Sequence, residues 1–112
     1  MKEIRAYVHR NRIADVVQAL KDSEPFAGHD GASRHNLTAY QVKGSLSVLD
    51  EHDRCYSLDL GDSVIDMYKL EFVCRDEDVD ELVSIIKEAA HAGKGYSGWV
   101  YVVDVARVER VE

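Results

Sequence analysis

No apolar run in this sequence approaches the ~20 residues that a helix needs to cross a bilayer. Met1-Lys2-Glu3-Ile4-Arg5 also lacks the apolar core of a secretory signal. Two cysteines, Cys55 and Cys74, are too few for a disulfide framework, so free thiols and a cytoplasmic location are expected. Cations are in deficit as well, 14 Lys and Arg against 21 Asp and Glu, a formal charge of −7. That balance excludes a broad nucleic-acid surface, and any anion must be gripped locally. What is present is enough to fold. Apolar residues make up 46% and there is a single proline, which argues against disorder over most of the length. At 112 residues the chain is expected to form one domain, 1–112, with a modest core.

The periodicity describes two similar halves. Ile4, Ala6 and Val8 alternate with Glu3, Arg5 and Tyr7, the pattern of a strand with one buried face. Asn11 is placed to cap a helix whose Ile13, Val16, Val17 and Leu20 form one apolar stripe. In the second half Tyr68, Leu70, Phe72 and Cys74 alternate with Met67, Lys69, Glu71 and Val73. A helix opened by Asp76, Glu77 and Asp78 then carries Val79, Leu82, Val83 and Ile86 at the same spacing, and Gly93 ends it with a positive φ. With strands at Leu37–Val42 and Trp99–Val105, the order is βαββαβ. This predicts an α+β, ferredoxin-like fold, with a four-stranded antiparallel sheet and two helices on one face. Trp99, Tyr101, Val103 and Val105 on one side of the last strand, and Val100 and Val102 on the other, are all apolar or aromatic. A strand of that kind is buried on both sides, and the expected cover is another copy of the chain. Two long connections, 23–36 and 44–66, are expected to be flexible. The second holds Asp50, Glu51, Asp53, Asp59, Asp62 and Asp66 against Arg54 alone, so a partner captured there carries basic residues.

The chemistry concentrates between the second helix and the last strand. Gly93, Gly95 and Gly98 fall within six residues, in Ala92-Gly93-Lys94-Gly95-Tyr96-Ser97-Gly98-Trp99, and let backbone N–H groups close around an anion. Asp104-Val105-Ala106-Arg107-Val108 follows. This turn with its flanking helix and strand resembles the phosphate-binding turn of the PII signal-transduction proteins, which reads Thr-Gly-Lys-x-Gly-Asp-Gly-Lys before a strand ending in Asp-Val-x-x-Val. The resemblance runs from the first strand to Arg110. Val42-Lys43-Gly44 is similar to the start of that family's long T-loop, and Lys69-Leu70-Glu71-Phe72-Val73 to the strand where it ends, at equal separation.

Several expectations follow from the resemblance. It implies a non-enzymatic homotrimer that binds adenine nucleotides in clefts between subunits and signals through the T-loop to a transporter or enzyme. It places the base near Gly44 and Val73, the ribose near Thr38, and the phosphates on Gly93, Lys94, Gly95, Tyr96, Ser97 and Gly98, with Arg110 from a neighbouring subunit. No cofactor is required. The departures modify these expectations. The lysine closing the family's phosphate turn is Trp99 here, and its Arg-x-Arg pair reads Arg110-Val111-Glu112. Each change removes charge-assisted hydrogen bonds to phosphate, which favours ADP or AMP over ATP. Val48 and Met67 stand where the family binds 2-oxoglutarate, and neither side chain holds a dicarboxylate. Leu60 replaces the tyrosine that many members modify. The chain resembles the divergent PII-like branch, some of whose members serve bicarbonate transport or carboxysomes.

Two other readings compete. One is a bicarbonate sensor with nucleotide as co-ligand. The other is a trimeric divalent-cation-binding protein on the same topology. His52 and Cys55 in one connection and His29 and His35 in the other supply metal-ligand types, but no set of four falls at a recognised spacing, and no metal site is expected. Ser97 has no assignable histidine base, although His9 and His91 both fall near the cleft ends of their elements. Cys74 is expected to be packed and inert, Cys55 exposed.

Overall fold

The computed structural model describes residues 1–27, 36–45, 54–93 and 97–112. Strand β1 (Lys2–His9) buries Ile4, Ala6 and Val8, the residues its alternation selects. It lies at the centre of the sheet. On one edge it pairs antiparallel with β4 (Asp62–Cys74), from Lys2 opposite Cys74 to His9 opposite Met67. On the other it pairs with β5 (Gly98–Asp104), from Lys2 opposite Asp104 to Val8 opposite Gly98. Strand β2 (Thr38–Gly44) completes the order β2-β4-β1-β5, the ferredoxin-like arrangement.

Helices α1 (Ile13–Lys21) and α3 (Val79–Ala90) cover one face of this sheet. Val16 and Leu20 from α1 and Leu82, Ile86 and Ala90 from α3 pack onto Ile4, Ala6, Val8, Leu70, Phe72 and Cys74. Among the described residues, no helix packs on the other face. Around Ile65 and Met67 it gathers Tyr7 and Val42. Beyond them it presents Tyr101 stacked on Tyr7 at 6.2 Å, and Lys69 over the rings of Tyr7 and Tyr40 at 5.6 and 5.5 Å. Trp99, Tyr101 and Tyr40 stay 55, 41 and 39% exposed.

Four local features differ from the sequence expectation. Asn11 does not cap α1; the cap position is Arg12, which makes no side-chain cap bond. Its guanidinium reaches across instead to the Ala89 carbonyl, Nε at 3.1 Å and Nη2 at 2.8 Å, tying the start of α1 to the end of α3. Asp76–Asp78 forms a 3-10 turn rather than the first turn of α3, and Arg75 grips the buried Asp78 there through Nε at 2.9 Å. Within the 23–36 connection lies a four-residue helix α2 (Glu24–Ala27). Its Phe26 is buried edge-on against Phe72 at 5.3 Å, so this connection contributes to the core. Within 44–66 a fifth strand β3 (Arg54–Ser57) pairs with the extended start of β4. The turn between them closes through Gly61 N–H to the Ser57 carbonyl at 2.8 Å, with Gly61 at φ 65°.

Candidate functional site

The sheet register sorts the site residues expected from the sequence into two groups. Gly98 lies opposite Val8, His9 opposite Met67, and Gly44 opposite Ile65, so Gly44, Gly98 and the end of α3 share one end of the sheet. Thr38 lies opposite Glu71 at the other end. Val73 is two residues further on, its N–H donating to Asn36 Oδ1 at 2.6 Å while Asn36 Nδ2 donates to its carbonyl at 3.1 Å. From Ile65 to Val73 along β4 is about 27 Å at strand rise. The C-terminal segment also leaves at this second end, where the Val105 N–H donates to the Met1 carbonyl at 3.2 Å, and Arg110 belongs to it. One chain therefore does not bring Gly44 and Val73 together.

At the first end the glycine turn is anchored at both sides. Helix α3 ends at Ala90 with His91 as an extended cap residue (φ −59°, ψ 126°), so Gly93, at φ 106°, does not end the helix but turns the chain two residues beyond the cap. Ser97 Oγ accepts the Ala92 N–H at 3.0 Å, clasping the turn at its base. A Cβ on Gly98 would sit 2.1 Å from the Tyr7 carbonyl oxygen, so the close β5–β1 approach admits glycine alone. Lys94, Gly95 and Tyr96, expected at the centre of the turn, lie outside the described residues, as do Val48, His29, His35 and His52. A cleft of about 470 Å³ opens beside the turn, lined by Tyr7, Val8, Val83, Lys87, Ala90, His91, Ser97, Gly98, Trp99 and Val100. Of the residues expected at the site it gathers Ser97 and Gly98. It adds Tyr7, Val83 and Lys87, which the sequence reading passed over. The signal for the last two was spacing: Val83 and Lys87 are one helical turn apart and share a face.

The remaining chemistry is set by burial. His9 is buried at the end of β1, whereas His91 is exposed on the cleft wall. Cys74 is buried, and burial first, then Asp78 and Asp76, push its thiol up to about 11. Cys55 is exposed on β3. Lys69 is held up at about 12, first by hydrogen bonding with Tyr40. Met67 is buried, its sulfur close against Gly44. Among the described residues no three His, Cys, Asp or Glu side chains come together as a metal site, and no helix is long and apolar enough to cross a membrane.

A ferredoxin-like sheet with two helices on one face, an aromatic face that the described residues leave open and a glycine-edged cleft at one end defines a small α+β module with a candidate ligand cleft. The family model described as nitrogen regulatory protein P-II matches residues 1–112. The chain is 30% identical over 115 residues to nitrogen regulatory protein P-II 2 of Methanothermobacter thermautotrophicus, covering 99% of this chain and 89% of that protein. It is 29% identical over 111 residues to nitrogen regulatory protein P-II of Pasteurella multocida, covering 99% and 91%. The chain belongs to the P-II family, as a divergent member. Proteins of this family are regulatory signal transducers rather than enzymes, typically trimers that bind nucleotides and target proteins.

Proposed function

We propose that this chain is a homotrimeric P-II regulator that binds an adenine nucleotide, ADP or AMP in preference to ATP, in clefts between subunits. It signals through the 44–66 segment to a transporter or enzyme. The observation that carries the reading is the division of the candidate contacts. Gly44, Ser97 and Gly98 lie at one end of the sheet, Thr38 and Val73 at the other. Residues so separated serve one ligand only if two copies supply them, and the uncovered aromatic face gives the copies a reason to associate. Trp99 at the closing position of the turn, together with Glu112 near the C-terminus, supports the preference for fewer phosphates.

Calorimetric titration with ATP, ADP, AMP, bicarbonate and 2-oxoglutarate tests the reading. The expected result is binding of ADP or AMP roughly ten- to a hundred-fold tighter than ATP, the worth of one lost charged contact, and no binding of 2-oxoglutarate. Tight ATP binding that 2-oxoglutarate strengthens would overturn the ligand assignment. A response to bicarbonate alone would select the bicarbonate-sensor reading.

A further inference from the structure

The cleft beside the glycine turn contains a cation that the turn does not provide. Lys87 follows Val83 by one turn of α3, and His91 follows Lys87 by four residues, and all three line the same wall. Ser97 and Gly98 lie on the other side. A basic residue in the last turn of a helix ordinarily complements the carbonyls at the C-terminal end. In α3 that work is done from outside the helix, by the Arg12 guanidinium on the Ala89 carbonyl.

Lys87 also differs from the cations that are paired within the chain: like Lys21 and Lys43 it makes no ion pair among the described residues, and of these three it alone lines the cleft. Lys2, Arg5, Arg12, Lys69, Arg75 and Arg107 each pair with a carboxylate. Lys87 pairs with none among the described residues, although the chain carries 21 acids to 14 bases. A paired ammonium is already neutralised, whereas this one remains available to a ligand in the cleft.

We propose that Lys87 is the phosphate-gripping cation of the cleft and that His91 lines the same anion subsite. The ligand class is a compound bearing a phosphate or diphosphate group. This rests on reading the cleft as one half of the nucleotide site, and it moves the deciding charge from the glycine turn to the last turn of α3. A compact ammonium on a flexible stem suits a phosphate as a point charge and demands no fixed fork geometry.

Trp99 is the only tryptophan and lines the cleft, so its emission reports occupancy. The intact protein is titrated with ADP and with inorganic pyrophosphate, alongside Lys87→Gln and a control, Lys21→Gln, in the last turn of α1. Circular dichroism confirms that both variants keep the fold, which is expected because Lys87 and Lys21 are exposed. The expected result is that Lys87→Gln weakens both ligands about tenfold or more while Lys21→Gln leaves them unchanged. If ADP binds the Lys87→Gln variant as tightly as wild type, the nucleotide reading stands and the assignment of Lys87 is overturned. If pyrophosphate binds through Lys87 but no adenine nucleotide does, the nucleotide reading falls and the phosphate subsite stands. Silence towards both compounds refutes both.

Discussion

At the scale of single residues, the geometry of the candidate cleft depends on Gly98. Its missing Cβ is what allows β5 to lie against the Tyr7 carbonyl, and with it the placement of Ser97 at the cleft. Gly98→Ala would force a carbon to within 2.1 Å of that oxygen, and the strands must part to relieve the clash. Overpacking of this kind costs about 1–3 kcal/mol or more. A denaturant titration should show the midpoint falling accordingly, and an unchanged midpoint would mean that β5 does not pair with β1 as described. The cysteines give a second test. With its thiol pushed up to about 11, Cys74 stays protonated and buried at neutral pH, while Cys55 is exposed. A thiol reagent should therefore titrate one group in the folded protein and two in denaturant. The sign of the linkage follows from the raised value. Between about pH 9 and 11 the unfolded thiol ionises while the folded one does not, so the stabilising contribution of Cys74 is intact below pH 9 and lost as pH rises through 11.

At the scale of elements, the parts legible from sequence were those whose burial has a period. Ile4, Ala6 and Val8 gave β1, and Leu82 and Ile86 gave α3, because each row faces one continuous layer. The two long connections were not legible, for opposite reasons. Phe26 is a lone aromatic in a polar stretch with no repeat around it, and only the tertiary contact with Phe72 makes it core. Strand β3 is four residues long, too short to show a period, and its pairing with β4 is a local hairpin set by the Leu58–Gly61 turn. At the candidate site, backbone geometry was legible where it demands glycine, at Gly93 and Gly98. Lys87 was harder to read, since its one signal, helical spacing from Val83, is shared by any surface lysine of an amphipathic helix. The two connections should accordingly respond differently to mutation. Phe26→Ala empties a fully buried ring site and should cost about 3–5 kcal/mol in a denaturation experiment. Leu58 and Leu60, 90 and 58% exposed beside β3, should change stability by no more than about 0.5 kcal/mol when both become serine. If the leucine pair proves as costly as Phe26, the hairpin is packed against something that a single chain does not supply.

At the scale of the whole molecule, the proposed function makes assembly and ligand binding one problem. The sheet face that the described residues leave open holds Trp99, Tyr101 and the Lys69 ammonium over the rings of Tyr7 and Tyr40, a surface too aromatic for water and too polar for a private core. Three chains of 12.6 kDa should scatter light as a particle of about 38 kDa. Tyr101→Asp places a charge on that face beside Tyr7 and should dissociate the trimer at micromolar concentration. The helix-covered core should survive, because Tyr101 takes no part in it. Every residue of the cleft is left in place by that change, including Ser97, Gly98 and Lys87. A site contained in one chain would keep its affinity in the dissociated variant. A site that joins Gly44 and the glycine turn of one copy to Thr38, Val73 and Arg110 of another loses half its contacts when the copies part. Nucleotide affinity should therefore fall in step with the loss of trimer across a concentration series, measured by light scattering and Trp99 emission on the same samples. A dissociated Tyr101→Asp protein that still binds ADP with wild-type affinity would confine the site to one chain and remove the need for a second subunit.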